Sequence, residues 1–213
     1  SKDQSYVLWG VTQECLKRTI FPMGKFHKKD IKQMAIDRGY VELAKKSESY
    51  EICFIPDNDY RGFLKRRVEG LEEKVKGGDF VSVSGEVLGK HDGYPFYTIG
   101  QRKLGVSFGS EPTYVVGIKE KENIVIVGTK EDLKKQEMYV RNINYVKYPS
   151  IEDGAELIVK IRYKHAGELA TVFNDDGNLK VLFHNKVQGI APGQSAAFYN
   201  GNDLVAGGFI MKK

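Results

Sequence analysis

The sequence predicts a mainly β fold with an N-terminal helical segment, and three observations lead there. Apolar residues at helical spacing, such as Ile31, Met34 and Ala35, occur in the first third of the chain. From about residue 70 onward, short runs rich in β-branched and aromatic residues alternate with Gly, Asn, Asp and Pro turn signals. The composition, 41% hydrophobic and 29% charged over 213 residues, suits soluble globular structure with real cores, in one large domain or two small ones.

Taken in order, a polar Lys2-Asp3-Gln4-Ser5 start leads into Tyr6-Val7-Leu8-Trp9. Thr12 is placed to cap a short helix through Arg18, with Val11, Cys15 and Leu16 on its apolar side, which reads Cys15 as core filler. Phe21-Pro22-Met23-Gly24 is a turn, and a second helix runs from Lys28 to Arg38 until Gly39 ends it. Asp59 caps a third helix holding Phe63 and Leu64, whose Lys65-Arg66-Arg67 end suits the helix dipole.

Strands follow. Phe80-Val81-Ser82-Val83 turns through Ser84-Gly85-Glu86 into Val87-Leu88-Gly89, and Asp92-Gly93 turns the chain again before Tyr94 to Ile99. Tyr114 to Ile118 and Ile124 to Val127 read as a hairpin. Between them lies Gly100-Gln101-Arg102-Lys103-Leu104-Gly105, two basic residues framed by glycines; it suits close approach to a phosphate, or a plain surface turn. Leu157 to Tyr163 reads as one strand, which sets Arg162 and Tyr163 on opposite faces. Ala170 to Phe173 pairs through the Asn174-Asp175-Asp176-Gly177-Asn178 turn with Leu179 to Phe183. Ala191-Pro192-Gly193-Gln194 breaks the chain before Ser195 to Tyr199, and Asn200-Gly201 returns it into Leu204 to Ile210. Short strands at this spacing predict a small closed or nearly closed barrel.

Net charge is +5 overall, and it divides as +5 over residues 1–67, −3 over 68–133 and +3 over 134–213. Two basic ends around an acidic middle suit a bridging polyanion, nucleic acid first, although a mild lysine excess also serves solubility alone. No apolar run approaches the roughly 18 residues of a membrane helix, and no signal-peptide h-region opens the chain. Two cysteines make no disulfide framework, so a reducing cytoplasmic location is expected.

Cys53 sits between a polar run, Ser47-Glu48-Ser49-Tyr50-Glu51, and the apolar Phe54-Ile55 that precede Pro56-Asp57. A thiol anchored on one side and polar on the other suits nucleophilic chemistry, because the thiolate must be both formed and reachable. A small buried hydrophobe is the competing reading.

Five blocks in order carry a resemblance. They are Lys2-Asp3-Gln4-Ser5-Tyr6, Phe21-Pro22-Met23-Gly24, Glu51-Ile52-Cys53-Phe54-Ile55, Tyr97-Thr98-Ile99-Gly100-Gln101-Arg102-Lys103 and Ala191-Pro192-Gly193-Gln194-Ser195-Ala196. The chain resembles the last three-fifths or so of the tRNA-specific 2-thiouridylases. The resemblance implies an enzyme that 2-thiolates the wobble uridine of tRNA after ATP-dependent adenylation, with Cys53 carrying the sulfur as a persulfide. It implies tRNA contacts at Lys2, Asp3, Gln4, Arg162, Tyr163 and Gln194. The implied partners are tRNA and a persulfide donor, either a cysteine desulfurase or a sulfur-relay protein, and the implied cofactor is ATP with Mg. The implied architecture is the remnant of an α/β nucleotide domain (1–66), a small central β domain (67–133) and an elongation-factor-like β-barrel (134–213).

The sequence departs from the family pattern in places. The Ser-Gly-Gly-x-Asp-Ser loop of the ATP pyrophosphatase domain is absent, and Cys15 does not match the family's partner cysteine. Both are expected upstream of Ser1, so this piece alone is expected to be inactive. Glu48-Ser49 stands for the usual Asp-Ser with one extra residue before the cysteine, and Arg102-Lys103-Leu104-Gly105 has one glycine fewer than usual. Two other classes stand as alternatives: an RNA-binding β module with a structural cysteine, and a thiol redox protein.

Overall fold

The computed structural model describes residues 4–46, 55, 57, 59–107 and 109–212. The chain forms two compact units, one of Glu14–Glu69 and one of Ser1–Gln13 with Gly70–Lys213.

The first unit carries α1 (Gln13–Arg18), α2 (Lys28–Asp37), α3 (Val41–Lys45) and α4 (Tyr60–Arg67). Along α2, Ile31, Met34 and Ala35 share a half-buried face, and the helix gives way to Gly39 at φ +83°. Asp59 caps α4 as its position predicts, its carboxylate accepting from the Gly62 amide at 2.9 Å. Ile55 is buried. One expectation fails: Cys15 is exposed rather than packed in a core. Helix α1 has six residues and buries none of them, too few turns to present an apolar stripe.

The second unit opens with α5 (Leu71–Val75) and a four-stranded sheet of β1 (Gly78–Ser82), β2 (Val87–His91), β3 (Tyr114–Lys119) and β4 (Ile124–Gly128). The order is β2-β1-β4-β3, with β1 parallel to β4 and the outer pairs antiparallel. Phe80, Val115, Val125 and Val127 form its core, and Leu88, Tyr97, Leu104 and Val106 pack against them. Tyr94 to Phe96 makes a single 3-10 turn that buries Phe96. Gly93 precedes it at φ +139°, where a Cβ would run into Val75. His91 is buried beneath this turn, its Nδ1 accepting from the Gly93 amide at 3.0 Å. Burial pushes the His91 imidazole below its ordinary pKa, against the opposing pull of Asp79 and Asp92.

The remaining strands close into a six-stranded barrel. They are β5 (Lys134–Tyr145), β6 (Ala155–Lys160), β7 (Glu168–Asp175), β8 (Asn178–Gln188), β9 (Ser195–Asn200) and β10 (Asp203–Ile210), in the order β10-β5-β8-β7-β6-β9. Closure leaves no unpaired edge, and alternate side chains such as Val140, Val159, Val181, Phe183 and Phe198 fill the interior. Each fully buried aromatic there contributes about 1.5–3 kcal/mol. Asp176 and Gly177, at φ +46° and +77°, give the β7–β8 hairpin the left-handed pair that its two-residue turn requires. The longest strand, β5, is absent from the sequence reading. Its first residues, Lys134-Lys135-Gln136-Glu137, show no apolar alternation, and its burial begins at Met138 and Val140.

Candidate nucleic-acid interface

Two of the residues expected to contact tRNA lie at or next to contacts with a short piece of chain docked on the barrel. Ser5–Gly10 forms a 3-10 turn that lays Tyr6 and Trp9 on β9 and β10. Trp9 meets Phe209 edge-on, with ring centres 5.0 Å apart, and lies flush against Gly207, where a Cβ would overlap the indole. The Asn144 side-chain amide donates to the carbonyls of Trp9 and Val11, and Gln13 donates to the Val146 carbonyl. Tyr6 is buried; its hydroxyl donates to the Ser195 carbonyl at 2.8 Å. Burial raises the Tyr6 pKa, the Ser195 hydrogen bond pulling the other way.

Tyr6 connects the sequence-predicted contacts. Its ring meets Tyr163 edge-on, with centres 6.4 Å apart, and its hydroxyl holds the residue that follows Gln194. Gln4 stands two positions before it and is exposed. Arg162 and Tyr163 do not lie on a strand, contrary to the alternating arrangement expected from sequence. Strand β6 ends at Lys160, and the two residues occupy the turn beyond it, which the His165 amide closes by donating to the Arg162 carbonyl at 3.0 Å. Both are exposed on that turn, and their side chains meet different neighbours. The Arg162 guanidinium donates to the Gln188 carbonyl at 3.1 Å, which aims it along the surface, and Tyr163 keeps 36% of its surface exposed. Lys160 lies over the Tyr199 ring at 4.8 Å, while the Tyr199 hydroxyl is 3.0 Å from Ser5 Oγ.

Gln194 is exposed. Its carbonyl accepts from the Ile210 amide at 2.8 Å and its amide donates to Ala191, so the backbone is pinned beside Pro192. It lines a cleft of about 630 Å³ with Pro192, Tyr139 and Met211, opposite Tyr97 and Ile99 of the central sheet.

Tyr6 and His165 escaped the sequence reading. The Tyr6-x-x-Trp9 spacing, two rings on one side of a tight turn, is the signal that points to a docked segment. His165 is half-buried beside Arg162; burial first, and then that guanidinium, push its imidazole below the ordinary value. An exposed phenol, guanidinium and amide suit stacking on unpaired bases and hydrogen bonding to base edges and phosphates. Lys2, Asp3 and Cys53 lie outside the described residues. Among the described residues no group of three or more His, Cys, Asp or Glu side chains is placed to hold a metal ion, and no helix is long and apolar enough to cross a membrane.

Three family profiles match consecutive stretches of the chain. They are described as a tRNA methyl transferase HUP domain (residues 1–57), a tRNA methyl transferase PRC-barrel domain (61–129) and an aminomethyltransferase beta-barrel domain (135–210). Two of the three descriptions are of domains from enzymes that modify tRNA. Similar curated proteins narrow this class. The chain is 52% identical over 212 residues to the tRNA-specific 2-thiouridylase MnmA of Cytophaga hutchinsonii, covering 99% of this chain and 57% of that protein. It is 54% identical to the MnmA of Amoebophilus asiaticus, at 99% and 56% coverage, and 48% identical to that of Salinibacter ruber, at 99% and 55%. The chain belongs to the tRNA-specific 2-thiouridylase family. It spans a little over half the length of the relatives it matches.

Proposed function

We propose that this chain is the sulfur-carrying and RNA-gripping part of an enzyme that 2-thiolates the wobble uridine of tRNA. The observation that carries the reading is the contact of Tyr6 with Tyr163 and with Ser195, the neighbour of Gln194, in a chain about half identical to 2-thiouridylases along its whole length. The division proposed is residues 1–66, 67–133 and 134–213, with the cysteine loop in the first part and RNA contacts in the outer two; the three profiles support a tripartite chain, the second beginning at 61 rather than 67.

Each part then has a task. A wobble base is stacked in the anticodon, so the RNA must be held while one nucleotide is turned out. The exposed turn of Arg162 and Tyr163, with Gln194 and the Lys2-Asp3-Gln4 segment, holds it. Cys53 takes a sulfane sulfur from a cysteine desulfurase or a sulfur-relay protein. The terminal sulfur of the persulfide attacks uridine C2, a C–S bond forms, and the C–O bond to the activated oxygen breaks with its electron pair leaving on AMP. A second thiolate then attacks the Cys53 sulfur, so the S–S bond breaks, the thiouridine departs and a disulfide remains. ATP with Mg supplies the adenylyl group that makes the C2 oxygen a leaving group; the described residues include no cluster suited to the metal, and no step is assigned to them. The setting for this chemistry is the cytoplasm.

The test is sulfur loading. With a cysteine desulfurase and cysteine as donor, one extra sulfur should be found on Cys53 by mass spectrometry, and Cys53→Ser should abolish it. Simple alkylation is a poor substitute, because Cys15 is exposed and competes. Persulfide that forms on Cys15 and survives Cys53→Ser sinks the assignment. In parallel, Arg162→Ala and Gln194→Ala should weaken tRNA binding with the melting temperature unchanged; both residues are exposed.

A further inference from the structure

The loop between the 3-10 turn and β3 of the central sheet has features that the reading above does not use. Gly100 and Gly105 bracket it at φ +86° and +80°, and Lys103 between them takes φ +59°, a conformation uncommon outside glycine. The loop is fastened from behind. The Gly100 amide donates to the Val115 carbonyl at 2.8 Å, the Val115 amide to Gln101 at 3.0 Å, and the Thr98 amide to Gln101 Oε1 at 3.1 Å. Leu104 and Val106 anchor it in the core of the sheet. What the fastening presents outward is two adjacent cations, both exposed.

Their partners are unusual for this sheet. Lys90 is paired with Asp79 at 2.8 Å and Lys119 with Glu122 at 3.3 Å. Arg102 and Lys103 have no carboxylate partner among the described residues. Arg102 instead lies over the Tyr114 ring at 5.4 Å, a contact that orients the guanidinium plane while leaving its N–H edges for another acceptor. The surrounding segment, residues 68–133, has a net charge of −3, so an RNA backbone passing over it is repelled except where cations meet it. The residues entering the loop, Tyr97 to Ile99, line the same cleft as Gln194.

We propose that Gly100–Gly105 is a phosphate-binding subsite for the RNA backbone, with Arg102 and Lys103 as its cations. It rests on the RNA-binding reading above and extends the RNA track from the turn of Arg162 and Tyr163, past Gln194, onto the central sheet. Its contribution is sequence-independent, since it reads phosphate and not base edges.

The test measures binding of an unmodified transcript of a wobble-uridine tRNA to the 213-residue chain between about 50 and 200 mM KCl. Each phosphate contact contributes about 0.7–0.9 to the slope of log affinity against log salt, so Arg102→Ala with Lys103→Ala should flatten the slope by about 1.5. Over that fourfold change in salt the wild-type advantage should shrink about eightfold. Lys103→Gly suits the left-handed backbone, keeps the loop folded and should remove about half of the effect. Arg102→Lys with Lys103→Arg should retain the slope. A wild-type slope in the double alanine variant overturns this subsite and leaves the RNA reading standing. Loss of binding to an acidic protein donor with tRNA binding intact also overturns it, and assigns the loop to that protein. No tRNA binding by the wild-type chain overturns both.

Discussion

Gly207→Ala tests whether the Tyr6–Trp9 turn is seated by shape. At this position a Cβ would overlap the Cβ and Cγ of Trp9 and come within 2.8 Å of its Cδ2, where carbon atoms rest at about 3.5–4.0 Å. Gly207 is on β10, held between β5 and β9 in the closed barrel, so the backbone has little freedom to retreat. The Trp9 side chain, Cβ included, must move by about an ångström, which disturbs its contact with Phe209 and the Asn144 bond to its carbonyl. Overpacking of this kind costs about 1–3 kcal/mol, and complete loss of the Trp9 anchor about 3–5 kcal/mol. In a unit of this size each kcal/mol lowers the midpoint by about 2–4 °C. Trp9 is the single tryptophan of the chain, so its fluorescence reports this seat alone. Gly207→Ala should shift the emission to the red and lower the midpoint, while far-ultraviolet circular dichroism keeps the barrel's signal. Gly10→Ala is the control, because nothing lies within 4 Å of a Cβ there. Unchanged emission and midpoint in Gly207→Ala, or an equal shift in Gly10→Ala, would refute the argument.

Three other outcomes follow from the same geometry. His91 has a depressed folded-state pKa, so the stability it confers is complete above its unfolded value of about 6.5 and is lost as pH falls; melting followed from pH 7.5 to 5 should show the loss, and a flat profile contradicts the burial argument. Tyr6 has a raised pKa, so docking of its segment holds below about pH 10 and weakens above it as the unfolded phenol ionises first; Trp9 emission should track the change, and Tyr6→Phe should remove the dependence. Asp59→Ala removes the cap of α4 and should cost about 1 kcal/mol, read as faster amide exchange at Gly62 and Phe63; unaltered exchange would show that the cap is idle.

Legibility followed the strength of local signals. The barrel and the β3–β4 hairpin were readable because turn residues punctuate apolar runs, and α4 because an Asp stands one position before it. Strand β5 was not, since its charged start gains its order from pairing with β8, and Lys180 neutralises Glu137 at 2.9 Å across that ladder. The sequence predicts the strand at Leu157 but extends it to Tyr163, three residues past its end at Lys160: Ile161, buried beyond the last ladder residue, prolongs the apolar pattern into the turn. The strand alternation expected of Arg162 and Tyr163 therefore does not apply, since both lie in the turn. The candidate RNA residues rest on resemblance; what local patterns cannot reveal is the bond of Tyr6 to Ser195, beside Gln194, a contact spanning 189 positions.

The docking of Ser5–Gly10 on β9 and β10 also sets a timetable. Ser5 and Tyr199, 194 positions apart in sequence, meet at the same place. On a ribosome adding about 5–20 residues per second, the turn is therefore made roughly 10–40 s before the strands that receive it. Throughout that interval Tyr6 and Trp9 have no groove to enter, and every helix and strand between them and β9 must form without them. The earliest piece of this unit to be synthesised is thus among the last to settle, and release of the final strand is the event that seats it.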